Sequence, residues 1–327
     1  MATMRAVIFD KIGGPEVLHV ANIPKPSPGP GQALVKMEWA GVNFIDTYHR
    51  TGLYPIKLPF TSGRDGAGVV ESLSSDVSPD IGIKVGDRVA IYDSSTVAEY
   101  VATRASRLLK LPDNVDTRAG AALMAQGLTA WTLVRDAHDV KPGETVLVHA
   151  AAGGTGGLVV QMAKHLGAIV IGTASTPEKI EIAKQHGCDH VINYSEKNTL
   201  EEVMKLTDGK GCHAVFSGIG QATFKDDLEC VRRKGTMVTF GNASGAVEGF
   251  RPLELGKKNV KLVRPRLDAY IVDQEEFDQR SQELVQLISK GVVKLTYGKE
   301  YSMEEVGQAH IDLTSRKTTG KLLIKIS

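Results

Sequence analysis

Between Thr145 and Thr239 short apolar runs alternate with amphipathic stretches, and this alternation constrains the fold more than any other feature of the chain. "TVLVHA", "AIVIGTA", "HVINY", "HAVFSG" and "TMVTFG" read as strands. "GGLVVQMAKHLG", "PEKIEIAKQHG", "LEEVMKLTDGKG" and "TFKDDLECVRRKG" read as the helices between them. Apolar strands joined through helices form parallel βα units, with helices covering both faces of the sheet. The expected class is therefore α/β, with a doubly wound parallel sheet over residues 126–262. Gly167, Gly187 and Gly235 stand where left-handed helix caps are needed. "RRK" at 232–234 then lies in a last helical turn, where cations suit the dipole.

The flanks have a different texture. Residues 1–125 contain "MRAVIF", "QALVKMEWAGV", "GAGVVESL", "DRVAIY" and "AEYVATR", broken by Gly and Pro, which predicts a β-rich, barrel-like unit. Residues 263–327 hold one long amphipathic helix, "QEEFDQRSQELVQLISKG", and a last strand, "GKLLIKI". A lone helix and strand cannot make a core, so this tail is expected to return to the first domain. A chain of 327 residues exceeds one comfortable core, which agrees with two domains.

The first strand of the parallel set runs into a glycine turn, "HAAAGGTGG", and then a helix. Glycines there let the backbone approach a pyrophosphate, and the helix N-terminus offers N–H groups and a positive dipole end. The spacing is not G-x-G-x-x-G, and a ligand-free strand-to-helix turn is the plain alternative. Its place at the head of further βα units favours a dinucleotide. A ribose-binding carboxylate belongs at the end of the second strand, yet Gly172, Thr173, Ala174, Ser175 and Thr176 include none. Thr176 reads as an N-cap and Pro177 as the first helical residue, with Glu178 and Lys179 following. Glu178 suits the dipole. Lys179 does not, unless an anion is bound there. A 2′-phosphate would supply it, so NADPH is the expected cofactor, and Tyr194 after "IN" falls on the same side. A solvated surface lysine is the alternative for Lys179.

Bulk properties exclude several classes. The formal net charge of +1 lacks the basic excess of a nucleic-acid binder. No run approaches 18 apolar residues, so no membrane span is expected, and the N-terminus lacks a secretory apolar core. Cys188, Cys212 and Cys230 are odd in number and dispersed, which suggests free thiols and a cytoplasmic location.

"AGVNFIDTYHRTGLYP", "GRDGAGVV", "GDRVA", "HAAAGGTGG", "INY", "TFGNASGAV", "VRPRL" and "SRKTTGKLLI" occur in one order from first strand to last. Together they resemble the zinc-independent quinone oxidoreductases, the ζ-crystallin-like branch of the medium-chain dehydrogenase/reductase superfamily. The resemblance implies a GroES-like catalytic domain over 1–125, a Rossmann NADPH-binding domain over 126–262 and a C-terminal return over 263–327. It also implies a homodimer that reduces quinones with NADPH. Carried over by position, it puts Asn43, Tyr48 and Thr129 near the nicotinamide and Gly153 and Gly154 at the pyrophosphate. Ser175, Lys179 and Tyr194 would meet the adenosine phosphate. Phe240, Gly241 and Asn242 would lie near the nicotinamide ribose, and Arg264 and Arg316 would close on the cofactor. Where such proteins usually carry an aspartate after the fourth strand, this chain has Ser217 and Gly218, so Ser217 takes that cofactor-facing position.

Zinc-binding relatives need a cysteine where Asn43 stands, a His-Glu pair at Arg64-Asp65 and a four-cysteine lobe. No cysteine precedes Cys188, so neither site has its ligands. Alcohol dehydrogenation through a Lewis acid is therefore not expected. The alternatives are an NADPH-dependent reductase of activated alkenes and a cofactor-binding RNA-associated or structural protein. The charge does not support RNA.

Asn43 also reads as a helix N-cap with Asp46 at N3, so cap and ligand contact both stand. Tyr48 is expected to line the pocket and to assist as a catalytic residue with Asn43; core packing is its alternative. His49, His138, His149 and His165 have no sequence spacing of ligands or triads and read as packing or surface histidines.

Overall fold

The computed structural model describes residues 2–315 and 317–327, and the chain divides into two compact units. One takes the residues up to Leu128 together with Asp273–Gly291 and Leu295–Ser327; the other takes Thr129–Val272 and Val292–Lys294.

The first unit begins with β1 (Thr3–Phe9), β2 (His19–Pro24), β3 (Gln32–Val42), α1 (Phe44–Thr51), β4 (Phe60–Thr61) and β5 (Asp65–Leu73). It continues with β6 (Arg88–Tyr92), β7 (Tyr100–Arg104), β8 (Leu108–Lys110) and α2 (Thr117–Thr132), whose last residues enter the second unit. In β1 the period-2 pattern buries Met4 and Ala6 and leaves Thr3 and Arg5 outside, and Val7 and Phe9 farther along are buried on the other face. β3 organises this unit. Register shifts at Leu34/Val35 and Met37/Trp39 bend it, so that it pairs with β5 along one edge and with β7 along part of the other.

The second unit holds β9 (Thr145–Val148), α3 (Gly154–His165), β10 (Ile169–Ala174), α4 (Pro177–Gln185), β11 (His190–Asn193) and α5 (Thr199–Leu206). It then adds β12 (Cys212–Ser217), α6 (Phe224–Cys230), β13 (Val231–Thr239), β14 (Lys261–Val263) and α7 (Leu267–Tyr270). Every pairing is parallel, in the order β11-β10-β9-β12-β13-β14. Leu147, Ile171, Val215 and Met237 are wholly buried at its centre. This is the doubly wound sheet that the alternation predicts.

One local expectation is corrected. Arg232, Arg233 and Lys234 do not end a helix: α6 stops at Cys230, and Val231 is extended and pairs with Cys212. The basic residues lie in β13, and Lys234 takes the left-handed φ of 65°. Gly235 serves close packing, since a Cβ there would come within 2.7 Å of the His213 carbonyl oxygen.

The chain then completes the first unit with α8 (Gln274–Ser289), β15 (Tyr297–Tyr301), α9 (Val306–Thr314) and β16 (Lys321–Lys325). α8 buries Phe277, Ser281, Leu284 and Leu287, a stripe at helical spacing. β16 docks antiparallel to β3 beyond its bend, giving the order β15-β16-β3-β5-β6-β8. Among the described residues no helix is long and apolar enough to cross a membrane.

Candidate functional site

In the second unit all strands point the same way, so their C-terminal ends share one edge. β9 lies between β10 and β12, where the strand order reverses, and ligands of such sheets bind outside the strand ends at that point. Ala150, at φ 52°, begins the turn, and Gly153 donates its N–H to the Ala150 carbonyl at 2.8 Å and caps α3. A side chain on Gly156 would strike the Ala150 carbonyl, so the tight turn requires glycine there. The first-turn N–H groups of α3, starting at Gly154, have no acceptor within the helix. N–H groups so placed can receive an anion.

Beneath the turn, His149 is 5% exposed and bonds Asp227 Oδ1 through Nε2 at 2.6 Å and Thr173 Oγ1 through Nδ1 at 3.1 Å. Thr223 donates its hydroxyl to Asp227 Oδ2 at 2.8 Å. This histidine packs the turn onto β10 and α6, and His138 is likewise held by Thr236 and Glu144.

The end of β10 carries Ala174, Ser175 and Thr176, with no carboxylate. Thr176 caps α4, its hydroxyl oxygen accepting from the Lys179 N–H at 3.4 Å. Glu178 is exposed, and backbone N–H bonding at the helix start, with Thr176 beside it, holds its carboxyl below the usual range. Tyr194 donates its N–H to the Ala174 carbonyl at 3.1 Å, and Ser195 donates its hydroxyl to the Ser175 carbonyl at 3.1 Å. Ser175, Lys179 and Tyr194 are thus assembled at the adjoining ends of β10 and β11. The set lacks an acid and includes a cation, so it fits a phosphorylated adenosine ribose.

Across the switch point, Phe240 donates its N–H to the Ser217 carbonyl at 2.9 Å, holding the ends of β12 and β13 together. With its amide oriented to satisfy both neighbours, Asn242 donates to the Gly241 carbonyl at 3.1 Å and accepts from Arg264 Nη2 at 3.2 Å. Ser217, Phe240, Gly241, Asn242 and Arg264 therefore form one group. Thr129 is half-buried on α2. Arg316 lies outside the described residues.

In the first unit Asn43 caps α1 with φ −132°, and its N–H donates to Asp46 Oδ2 at 2.8 Å. Its side-chain amide makes two other bonds. Nδ2 donates to Asp65 Oδ1 at 2.7 Å, and Oδ1 accepts from Lys321 Nζ at 2.7 Å. Lys321 also bonds Asp65 Oδ2 at 2.9 Å, and both side chains are essentially sealed from water. Burial pushes the Asp46 carboxyl up to about 7, opposed by the Asn43 N–H and by Lys321 and Arg64 and reinforced by Asp65. One turn along α1, Tyr48 is half-buried and meets Phe44 at 6.3 Å and Tyr54 edge-on at 5.2 Å. These rings make an apolar wall suited to a flat conjugated molecule.

Asp65 and Lys321 complete this cluster, although neither stands out as a site residue in its motif. Their signal in the sequence is faint: an acid inside the glycine-rich strand "RDGAGVV" and a lysine heading the apolar strand "KLLIK". Burial pushes the thiols of Cys188 and Cys212 up to about 12 and that of Cys230 higher still, so none is a nucleophile. Among the described residues no group of three or more His, Cys, Asp and Glu is placed to hold a metal.

Two family models match the chain: "Alcohol dehydrogenase GroES-like domain" over residues 29–113 and "Zinc-binding dehydrogenase" over residues 154–289. A quinone oxidoreductase of Pseudomonas aeruginosa is 40% identical over 325 residues, covering 98% of this chain and 99% of that protein. A 2-haloacrylate reductase of Burkholderia is 37% identical, covering 98% of each. Among solved structures, Escherichia coli quinone oxidoreductase complexed with NADPH superposes with a TM-score of 0.93 at 37% identity, covering 98% of this chain and 100% of that one.

Proposed function

The chain belongs to the quinone oxidoreductase family of the medium-chain dehydrogenase/reductase superfamily, and from that premise we propose that it reduces quinones with NADPH and without a metal. The observation that carries the cofactor choice is the end of β10, where Ala174, Ser175 and Thr176 offer no carboxylate and Lys179 follows in the first turn of α4, next to Glu178. Lys179 neutralises the 2′-phosphate, and the first turn of α3 from Gly153 and Gly154 receives the pyrophosphate. Ser217, Phe240, Gly241, Asn242 and Arg264 take the nicotinamide ribose. Asn43, Tyr48 and Thr129 serve the nicotinamide, and Asn43 and Tyr48 also serve the quinone.

Bound NADPH supplies a hydride, and the protein supplies position and electrostatics. Quinones are electron-poor enough to accept it without a Lewis acid. The Tyr48 ring, half-buried beside Phe44 and Tyr54, stacks the quinone and leaves its oxygen within reach of water as the proton source. A second reading, reduction of activated carbon–carbon double bonds, is favoured by the 37% identical 2-haloacrylate reductase. It asks more of a proton donor, because carbon must be protonated.

NADPH and NADH oxidation against ortho-quinones, para-quinones, 2-alkenals and 2-haloacrylates decides between them. Quinone turnover with a strong preference for NADPH is expected. Turnover confined to the alkenes, or equal use of NADH, overturns the reading. A homodimer and a reducing, cytoplasmic setting are proposed as well. The open edge at β14 supports the first and three free cysteines the second. Light scattering of the purified protein tests the dimer.

A further inference from the structure

The first unit buries a full ion pair against a single amide. Asp65 is 0% exposed, Lys321 2% and Asn43 7%. Both oxygens of Asp65 are engaged: Oδ1 by Asn43 at 2.7 Å and Oδ2 by Lys321 at 2.9 Å and the Ala125 N–H at 2.9 Å. The backbone makes room for the pair, because a Cβ on Gly41 would strike both the Asp65 carboxylate and the Lys321 ammonium. Such a pair is a poor way to gain stability, since desolvation offsets most of its Coulombic attraction. What it does accomplish is orientation. An asparagine amide has one carbonyl oxygen and two N–H donors. Here the ammonium holds the oxygen and the carboxylate holds one hydrogen. Turning the amide over would set N–H against ammonium and oxygen against carboxylate, so only one orientation survives. The cation on the oxygen also draws electron density from the amide nitrogen, which strengthens the other N–H as a donor.

We propose that Asp65 and Lys321 are positioning residues that lock the Asn43 amide, so that its second Nδ2 hydrogen is a preset donor to the quinone oxygen during reduction. The proposal rests on the reading that Asn43 faces the nicotinamide and quinone. As hydride reaches the quinone, negative charge gathers on its oxygen, and a donor already fixed in place stabilises it without reorganisation. The proton that completes the hydroquinone comes from water; Asn43 keeps its own. The buried pair thus gives a metal-free site an oriented dipole.

Three variants and one measurement on the unaltered protein test this. Asp65→Asn with Lys321→Met removes both charges together and avoids leaving either one buried alone. It is expected to lower kcat for quinones roughly tenfold to a hundredfold, towards the loss seen when a preorganised donor is removed. KM for NADPH should change less than about threefold. Asn43→Ala should lower kcat similarly, and all three changes together should cost no more than Asn43→Ala alone, because the pair acts through that amide. Multiplying losses would mean that the pair acts elsewhere, and the proposal fails while the role of Asn43 stands. An unchanged kcat in Asn43→Ala would remove the premise itself. Should the neutral pair not fold, the wild type still decides. The two hydrogens of its Asn43 side-chain NH2, assigned by their loss in Asn43→Ala, must give separate signals that do not interchange before any cofactor is added, with the one bonded to Asp65 protected from exchange with water. An amide that rotates freely, or whose Asp65-bonded hydrogen exchanges freely, overturns the proposal.

Discussion

The two units equip their candidate functional edges by opposite means. The second presents backbone: helix N–H groups, strand ends and a glycine turn, carried on a sheet whose centre is apolar. Its buried acid, Asp227, is matched by His149. The first unit sinks Asp46, Asp65, Lys321 and Arg50 among its strands and helices, and its candidate amide hangs on two of them. A phosphate site can be open because water competes poorly with several aligned N–H groups and a cation. Fixing one amide in a single orientation needs charges that water does not screen.

The two units should differ most in how much stability a lost cation costs. Lys321→Met alone leaves Asp65 buried without its cation and is expected to cost about 3–5 kcal/mol. Lys164→Met removes the half-buried, water-accessible partner of Asp189 in the second unit and should cost about 1 kcal/mol or less. Denaturant unfolding followed at Trp39 in the first unit and Trp131 in the second separates the two. Equal losses would erase the contrast.

Burial of acids in the first unit also makes its stability depend on pH. The folded state holds the Asp46 proton up to about 7, against 3.8 for an ordinary aspartate. Between those values the unfolded chain binds fewer protons than the folded one, so this group's contribution is complete below pH 4 and is lost as pH rises through 7. Asp46→Asn removes that loss. Its stability relative to wild type should rise by roughly 2–4 kcal/mol from pH 4 to 8, because each tenfold change in proton affinity is worth about 1.4 kcal/mol. A flat difference would show that Asp46 is ionised throughout.

Lys179→Ala probes the open edge of the second unit. A hydrogen bond to a charged group contributes about 1.5–3 kcal/mol, so NADPH affinity should fall roughly tenfold to a hundredfold while NADH barely changes. Added salt should narrow the gap in the wild type, because the contact is screened. Equal losses for both cofactors would make Lys179 a surface lysine and pass the phosphate to other groups. The smallest effect is expected at Tyr48. Tyr48→Phe keeps the ring stack and should keep quinone turnover within about tenfold, short of the loss of an obligatory acid. A thousandfold fall with normal NADPH affinity would shift the reading toward alkene reduction.

What the sequence determined by itself is the part whose signals are local. The βα alternation, the turn from Ala150 to Gly156, the Thr176–Pro177 helix start and the missing acid after β10 all lie within short windows, where period and capping chemistry act. Even there "RRK" misled, because Val231 pairs with Cys212 and draws the chain into β13 directly after α6. Tertiary structure alone decided the charged knot of the first unit. Asn43 and Asp65 are 22 residues apart, and Lys321 lies 278 and 256 residues beyond them. Nothing in their neighbourhoods announces the meeting, since each taken singly reads as a cap, a strand acid or a strand-end lysine. They meet because β3 pairs antiparallel with β5 on one side and with β16 on the other, and Gly41 leaves the space between. Local periodicity can specify a strand, but only strand pairing selects which distant charge lies beside it with water excluded.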